Sequence, residues 1–309
     1  MNIRKRNVEK VNCKYMKKHA YMIMAHNELY ILEKLVELID DNRNDIYVHI
    51  DKKVIDTSRI KNKLKQLVKY SRLIFADSRS VNWGGASQIR CEISLFKLVL
   101  LNQEEYSYCH LISGVDLPIK TQNYIHDFFD KNFGKQFVSF SSGEYVEKSK
   151  ERWCYYRFLQ EFKKRDKKTI ISILEGIIVT FQRILGVDRS NKKWEYYIGA
   201  NWISVQPYVL EYIVNNEKLV KKYFQFTHSC DEVYKQTLIM NSCIKNDIYN
   251  ITSEGNMRYV DWKRGNPYIF DITNYKEIMD SKMMFARKCS TGTELQKELV
   301  DKIYHELST

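Results

Sequence analysis

Glycine and proline are scarce in this chain, 11 and 3 among 309 residues, and no segment recurs with a solenoid period. Collagen-like, low-complexity and repeat architectures are thereby excluded. The seven cysteines, at positions 13, 91, 109, 154, 230, 243 and 289, form no Cys-x-x-Cys pair. A zinc site or a disulfide framework is not expected, and the cysteines read as reduced core residues of a cytoplasmic protein. Long hydrophobic runs are lacking too. The first apolar stretch, Ala20 to Ala25, is too short for a secretory signal and follows a charged N-terminus. Thr169 to Val187 is interrupted by Glu175, Gln182 and Arg183, which suits an amphipathic or buried helix better than a membrane span. Neither a Gly-x-Gly-x-x-Gly nor a Walker loop occurs, which disfavours an ordinary dinucleotide or P-loop site.

What is present is a 44% hydrophobic chain, enough for a substantial core, with 50 Lys and Arg against 38 Asp and Glu. The net charge of +12 suggests an anionic partner. It is clustered: Met1 to Lys18 holds seven basic residues against one acidic, and Lys163-Lys164-Arg165-Asp166-Lys167-Lys168 forms a second run. With the helix that follows, this second run is expected to permit peripheral contact with an anionic bilayer.

The first half alternates between periods of two and 3.6 residues. Strands are predicted at 20–25, 46–50, 73–75 and 108–112, with helices at 29–39, 59–68 and 87–101, a succession that implies an α/β fold with a mainly parallel sheet covered on both faces. The strands end in His26-Asn27, Asp51-Lys52, Asp77-Ser78-Arg79 and Ser113 to Asp116. In a parallel sheet these ends share one edge, where ligands bind. The second half is less regular. A strand is expected at 134–140, helices at 151–162, 169–185, 208–224 and 232–244, an extended segment at 194–204, and a strand at 257–262. No linker divides the two halves.

Eight blocks follow one another in order: Ala25-His26-Asn27, His49 to Lys53, Trp83 to Ser87, His110 to Lys120, Gly199 to Ser204, Asp231-Glu232, Arg258 to Trp262 and Phe285 to Lys288. This sequence resembles the core-2/I-branching β-1,6-N-acetylglucosaminyltransferases, glycosyltransferase family 14, which also includes the peptide O-xylosyltransferases. The resemblance implies a glycosyltransferase-A type, Rossmann-like fold, a UDP-sugar donor and inverting chemistry. It suggests a single glycosyltransferase domain at 19–289, between a basic tail at 1–18 and a helical tail at 290–309.

Inverting transfer needs one base to take the proton of the attacking acceptor hydroxyl, and the family's Pro-Asp-Glu motif maps onto Asp231-Glu232, with Cys230 where proline is usual. Glu232 is therefore the implied base and Asp231 its expected helix cap. The departing UDP needs its charge neutralised by a metal or by fixed cations. The chain has no Asp-x-Asp pair, and the resemblance implies metal-independent catalysis with Lys288 and Arg264 on the diphosphate, Lys263 being the alternative to Arg264. By the same resemblance His26 borders the uridine, Asp51 accepts hydrogen bonds from it and Arg79 reaches the same region. Asp116 would serve either a sugar hydroxyl or a structural turn. Arg152, in Glu151-Arg152-Trp153, is implied to face the acceptor sugar, while the family's acidic acceptor residue has no counterpart in Val138-Ser139-Phe140-Ser141. Trp194, Tyr196, Tyr197 and Trp202 would either stack on sugars or pack in the core.

The expectation is thus a bacterial, cytoplasmic enzyme, peripheral on the inner face of the plasma membrane, that moves N-acetylglucosamine from a UDP donor to a hydroxyl of a surface glycan, with a lipid-linked acceptor accounting for the basic runs. A UDP-xylose-dependent transferase is the alternative within the family. The rival from another class is a non-catalytic basic protein on anionic membrane or nucleic acid. It would interleave Lys and Arg with exposed aromatics along one face, whereas here the cations concentrate in two flanking segments and the strand-end loops, so no nucleic-acid partner is expected.

Overall fold

In the computed structural model, residues 17–102, 104–163 and 169–308 are described. Five strands, β1 (Lys18–Ala25), β2 (Asn44–Ile50), β3 (Arg72–Phe75), β4 (Tyr106–Ser113) and β6 (Ile203–Val205), form the central sheet in the order β3-β2-β1-β4-β6. The pairs among β1 to β4 are parallel, and β6 lies antiparallel to β4. A smaller sheet has the order β5 (Leu117–Pro118), β8 (Phe285–Arg287), β7 (Arg258–Val260). This is the mixed α/β, mainly parallel architecture that the alternating periods predict.

β1, β2 and β4 are buried almost end to end, as strands covered on both faces must be. The period of two divides their side chains between two cores. Ala20, Met22, Tyr47, Cys109 and Leu111 face one side, under α3 (Ala86–Leu101) and α8 (Pro207–Asn215). Tyr21, Ile23, Ile46, Val48, Tyr108 and Ile112 face the other, under α1 (Leu29–Leu38), α4 (Gln122–Lys131) and α12 (Glu294–Ser308). Between α1 and α3, α2 (Thr57–Leu67) is capped by Asp56, which accepts the Arg59 N–H at 3.1 Å.

The second half departs from expectation wherever a polar side chain intercepts a backbone group. Residues 134–140 make only isolated bridges, Gln136 to Ile248 and Phe137 to Ser204, because the Gln136 side chain bonds the Gln206 N–H and the Gly134 carbonyl. The helix expected at 151–162 is confined to α6 (Glu151–Cys154), just after α5 (Glu144–Ser149), and a 3-10 turn at Gln160–Phe162. The one at 208–224 divides into α8 and α9 (Glu217–Phe224) at Asn216, whose amide bonds the Tyr212 carbonyl at 2.8 Å. Between 232 and 244 the helix is α10 (Tyr234–Met240), with 3-10 turns on either side. The extended stretch 194–204 pairs only at β6, and 257–262 only at β7. α7 (Ile170–Ile184) forms as predicted, capped by Thr169, and α11 (Tyr275–Met279) precedes β8.

Beside β1 lies a cluster of three buried histidines. The His19 and His126 rings stack at 3.9 Å, His19 Nδ1 lies 3.0 Å from His110 Nε2, and His126 Nε2 lies 2.9 Å from Asn44 Oδ1. Burial, reinforced by neighbouring positive groups, lowers all three pKa values, that of His126 to about 4 against the opposing pull of Asp41 and Asp127. The folded protein resists protonation here while the unfolded chain takes up protons near pH 6.5. Stability present above that pH is therefore lost as pH falls towards 4, by about 3 kcal/mol for His126 alone. The urea midpoint is expected to drop sharply from pH 7.5 to pH 4.5. An unchanged midpoint would contradict the neutral cluster.

Candidate active site

The parallel register sets the ends of β1, β2 and β4 side by side, with Ala25 opposite Ile50 and Met24 opposite Ser113. Asp51 leaves β2 buried, and its N–H donates to the Ala25 carbonyl at 2.9 Å. Its carboxylate accepts from the N–H groups of Lys53 at 2.8 Å and Val81 at 3.2 Å, so it tethers the loop after β3. Arg79, on that loop, is fixed through its backbone: its N–H donates to His49 Nε2 at 3.0 Å and its carbonyl accepts from Lys52 at 3.1 Å. Burial lowers the pKa of His26, Asp51 opposes this, and Lys288, Arg287 and Lys53 reinforce it. The His26 imidazole thus lies within electrostatic reach of Lys53, Arg287, Lys288 and Asp51, which leave the ends of β2 and β8.

Asp116 is fully buried and serves the turn. It accepts the Ser113 N–H at 2.8 Å and the Ser113 hydroxyl at 3.0 Å, closing the bend after β4, and it pairs with Arg287 at 2.7 Å. The Arg287 guanidinium also stacks over Trp202 at 4.7 Å. Next to it, Lys288 is held by its carbonyl, which accepts the Phe270 N–H at 3.1 Å, while the Cys289 N–H donates to Val115 at 3.0 Å. Arg264 leaves the same end of the small sheet, since Val260 of β7 lies opposite Arg287 of β8. Its side chain, however, is partly exposed and paired with Asp261 and, at 2.6 Å, Glu277.

Glu232 ends a 3-10 turn, Cys230–Glu232, entered through Ser229 at φ 46°. The Ser229 N–H donates to the Gly84 carbonyl at 3.0 Å, so the Trp-Gly-Gly block buttresses this turn, with Gly84 at φ 69°. On the other side the Gly199 N–H donates to the Glu232 carbonyl at 2.9 Å. A Cβ on Gly199 would lie 1.9 Å from the Ser139 carbonyl oxygen, so no other residue fits there. The Glu232 side chain is 31% exposed and paired with Arg152 Nη1 at 2.8 Å, and Arg152 Nη2 donates to the Tyr145 hydroxyl at 2.8 Å. The arginine expected at the acceptor thus also holds Glu232, the residue expected as the base. A cleft of about 340 Å³ is lined by Ser141, Ser142, Glu147, Glu195 and Tyr197.

Asp231 is not a helix cap. It lies within the 3-10 turn, and its carboxylate accepts from Gln88 Nε2 at 3.0 Å. Burial, with the nearby Glu232 and Glu92, pushes its pKa up to about 8 against the pull of Lys235. Beneath it the fully buried Lys235 pairs with fully buried Glu92, bonds Asn201 and donates to the Asp231 carbonyl at 3.0 Å. Glu92 also accepts the Tyr234 hydroxyl at 2.6 Å.

Sequence reasoning missed Arg287, Tyr145 and the Glu92-Lys235 pair. Charges inside otherwise apolar helical runs were the signal for that pair. Of the four aromatic candidates, Tyr196 stacks on Trp153 at 5.1 Å and Trp194 lies parallel to Phe224 at 6.0 Å, both as core packing. Tyr197 borders the cleft and Trp202 lies under Arg287. Among the described residues no group of three or more His, Cys, Asp or Glu side chains is placed to hold a metal ion.

A sequence model of the Core-2/I-Branching enzyme family matches residues 19–296, a span that takes in every residue of this site. The chain belongs to that family. A xylosyltransferase of Ciona intestinalis is 22% identical over 84% of this chain but only 28% of its own length. A probable β-1,3-galactosyl-O-glycosyl-glycoprotein β-1,6-N-acetylglucosaminyltransferase 7 of Sus scrofa is 22% identical over 85% of this chain and 58% of its own. The human N-acetyllactosaminide β-1,6-N-acetylglucosaminyl-transferase is 28% identical over 37% of this chain and 29% of its own. The chain therefore spans well under two thirds of these relatives. The crystal structure of mouse xyloside xylosyltransferase 1 in its apo form covers 87% of this chain and 96% of its own at 8% identity, with a TM-score of 0.40, a likeness too loose to support an inference.

Proposed function

We propose that this branching-enzyme family member is an inverting glycosyltransferase that moves a sugar, N-acetylglucosamine in the first instance, from UDP to a glycan hydroxyl. The observation that carries this reading is Glu232: a partly exposed carboxylate, paired with Arg152 at 2.8 Å, on a turn held from both sides. In this reading the acceptor hydroxyl approaches Glu232 from its exposed side and gives it a proton as its oxygen attacks the anomeric carbon. The bond from that carbon to the diphosphate oxygen breaks on the opposite face, and UDP leaves with the electron pair.

The strand-end edge would hold the donor, with His26, Asp51 and the Arg79 loop at the nucleotide and Lys288 at the diphosphate. Arg287, fixed by Asp116, would add a second positive charge there. Arg264 would join them only by releasing Asp261 and Glu277. Fixed cations take the place of a metal in this scheme, so full activity in excess EDTA is the expected result. Loss of activity in EDTA, restored by a divalent cation, would overturn it.

The donor is tested by measuring UDP release from UDP-N-acetylglucosamine, UDP-xylose, UDP-galactose and UDP-glucose. Xylose is the second reading, because a xylosyltransferase stands among the relatives. If no donor yields hydrolysis or transfer that Glu232→Gln removes, the reading fails. Mass spectrometry of the product would assign the acceptor, for which a lipid-linked glycan is the proposal.

A further inference from the structure

α7 is amphipathic in the inverted sense. Glu175, Val179 and Gln182 are buried against the protein, where Glu175 accepts the Leu159 N–H at 2.9 Å and Gln182 bonds both backbone groups of Tyr156. The apolar residues instead point outward: Ile170, Ile173, Ile177, Phe181 and Ile184 recur at helical spacing and are each 60 to 76% exposed. Such a stripe is not a normal solvent face, since large contiguous apolar patches on soluble proteins mark contact surfaces.

Charge identifies the occupant. The only acidic residue of α7, Glu175, is turned inward and paired with Lys163 at 2.5 Å, while Arg183 stands half exposed, paired with Glu151. In the sequence, five Lys and Arg against one Asp immediately precede Thr169. Residues 164–168 lie outside the described residues, but this basic run adjoins the start of α7 along the chain; a second copy would bring an identical run to it, whereas an anionic bilayer attracts it and accepts the apolar side chains.

The geometry points to α7 as a docking surface for an anionic lipid bilayer, lying in the interface with Ile173, Ile177 and Phe181 in the acyl boundary. No helix among the described residues is long and apolar enough to cross a membrane, so the contact is peripheral. Docking would also set the candidate site close to the lipid surface. Gln182 packs on Tyr156, Arg183 pairs with Glu151, and Arg152, the next residue, holds Glu232.

The test is flotation of the full chain with vesicles of phosphatidylcholine alone or with about one quarter phosphatidylglycerol. Binding is expected to the anionic vesicles, to weaken with salt, and to fall at least about tenfold in the triple variant Ile173→Ser, Ile177→Ser, Phe181→Ser. The substituted side chains are exposed, so the melting temperature should not change. Absence of binding, equal binding by the variant, or a dimer that the variant dissolves while vesicle binding persists would each overturn the proposal. UDP release in the absence of vesicles should be the same in both proteins. A chain that docks but never releases UDP would refute the transferase reading and leave the docking intact.

Discussion

Glu232→Gln is expected to lower sugar transfer about a hundred- to ten-thousand-fold, the usual contribution of a positioned general base. The amide keeps the size of the side chain and can still accept a hydrogen bond from Arg152, but it cannot take a proton from the acceptor. Donor affinity should change little, because His26, Asp51 and Lys288 sit on the ends of other strands. Asp231→Asn is the informative control. Its carboxyl is buried and its pKa is raised to about 8, so near neutral pH it is largely protonated and an amide resembles it. Two adjacent carboxyl groups are thereby assigned different roles by their surroundings: one is buried with its pKa raised, the other partly exposed and paired with Arg152. Rates for both variants, with UDP binding by calorimetry, decide the assignment. Glu232→Gln within about threefold of the parent, or Asp231→Asn as damaged as Glu232→Gln, would refute it.

Lys235→Met is expected to destabilise the fold by about 3–5 kcal/mol, the cost of leaving a buried charge unpaired. Both members of the Glu92-Lys235 pair are 0% exposed, and only the Tyr234 hydroxyl would remain to Glu92. Adding Glu92→Gln should recover part of the loss, because the pair costs much of its mutual attraction in desolvation. Urea unfolding of the two single variants and the double variant measures this. A loss under about 1 kcal/mol in Lys235→Met would show that water or another partner reaches Glu92. The candidate site is coupled to the same pair, since Lys235 Nζ holds the Asp231 carbonyl one residue before Glu232, the proposed base. The variant should therefore lose kcat even at temperatures where it stays folded.

The mainly parallel sheet and its polar edge were legible in the sequence because strands buried on both faces must be apolar throughout. The expected strand at 108–112 lies within β4, which runs further at both ends, Tyr106–Ser113. The alternation of strands and helices put the polar strand ends on one edge, while block resemblance singled out His26 and Asp51 there, and Asp116 was read as either a sugar contact or a turn residue. What the pattern could not reach were the pairings. Arg264 and Lys288 look alike as cations near strand ends, yet Arg264 is paired with Asp261 and Glu277 while the charge of Lys288 helps lower the His26 pKa. Asp231 reads as a cap beside an apolar helix, but Ser229 enters the turn left-handed and carries Asp231 inward to Gln88.

The sequence by itself determined the fold class, the shared edge of the strand ends and the chemical types available there, because hydrophobic period and turn chemistry act over a few residues. Only the tertiary structure decided which charges meet. It set Arg152 on Glu232, Arg287 on Asp116 and Lys235 on Glu92, contacts spanning 80, 171 and 143 residues that no local pattern encodes. It also turned α7 polar side inward, since its neighbours present the Leu159 and Tyr156 backbone groups to Glu175 and Gln182 and leave the isoleucines facing out.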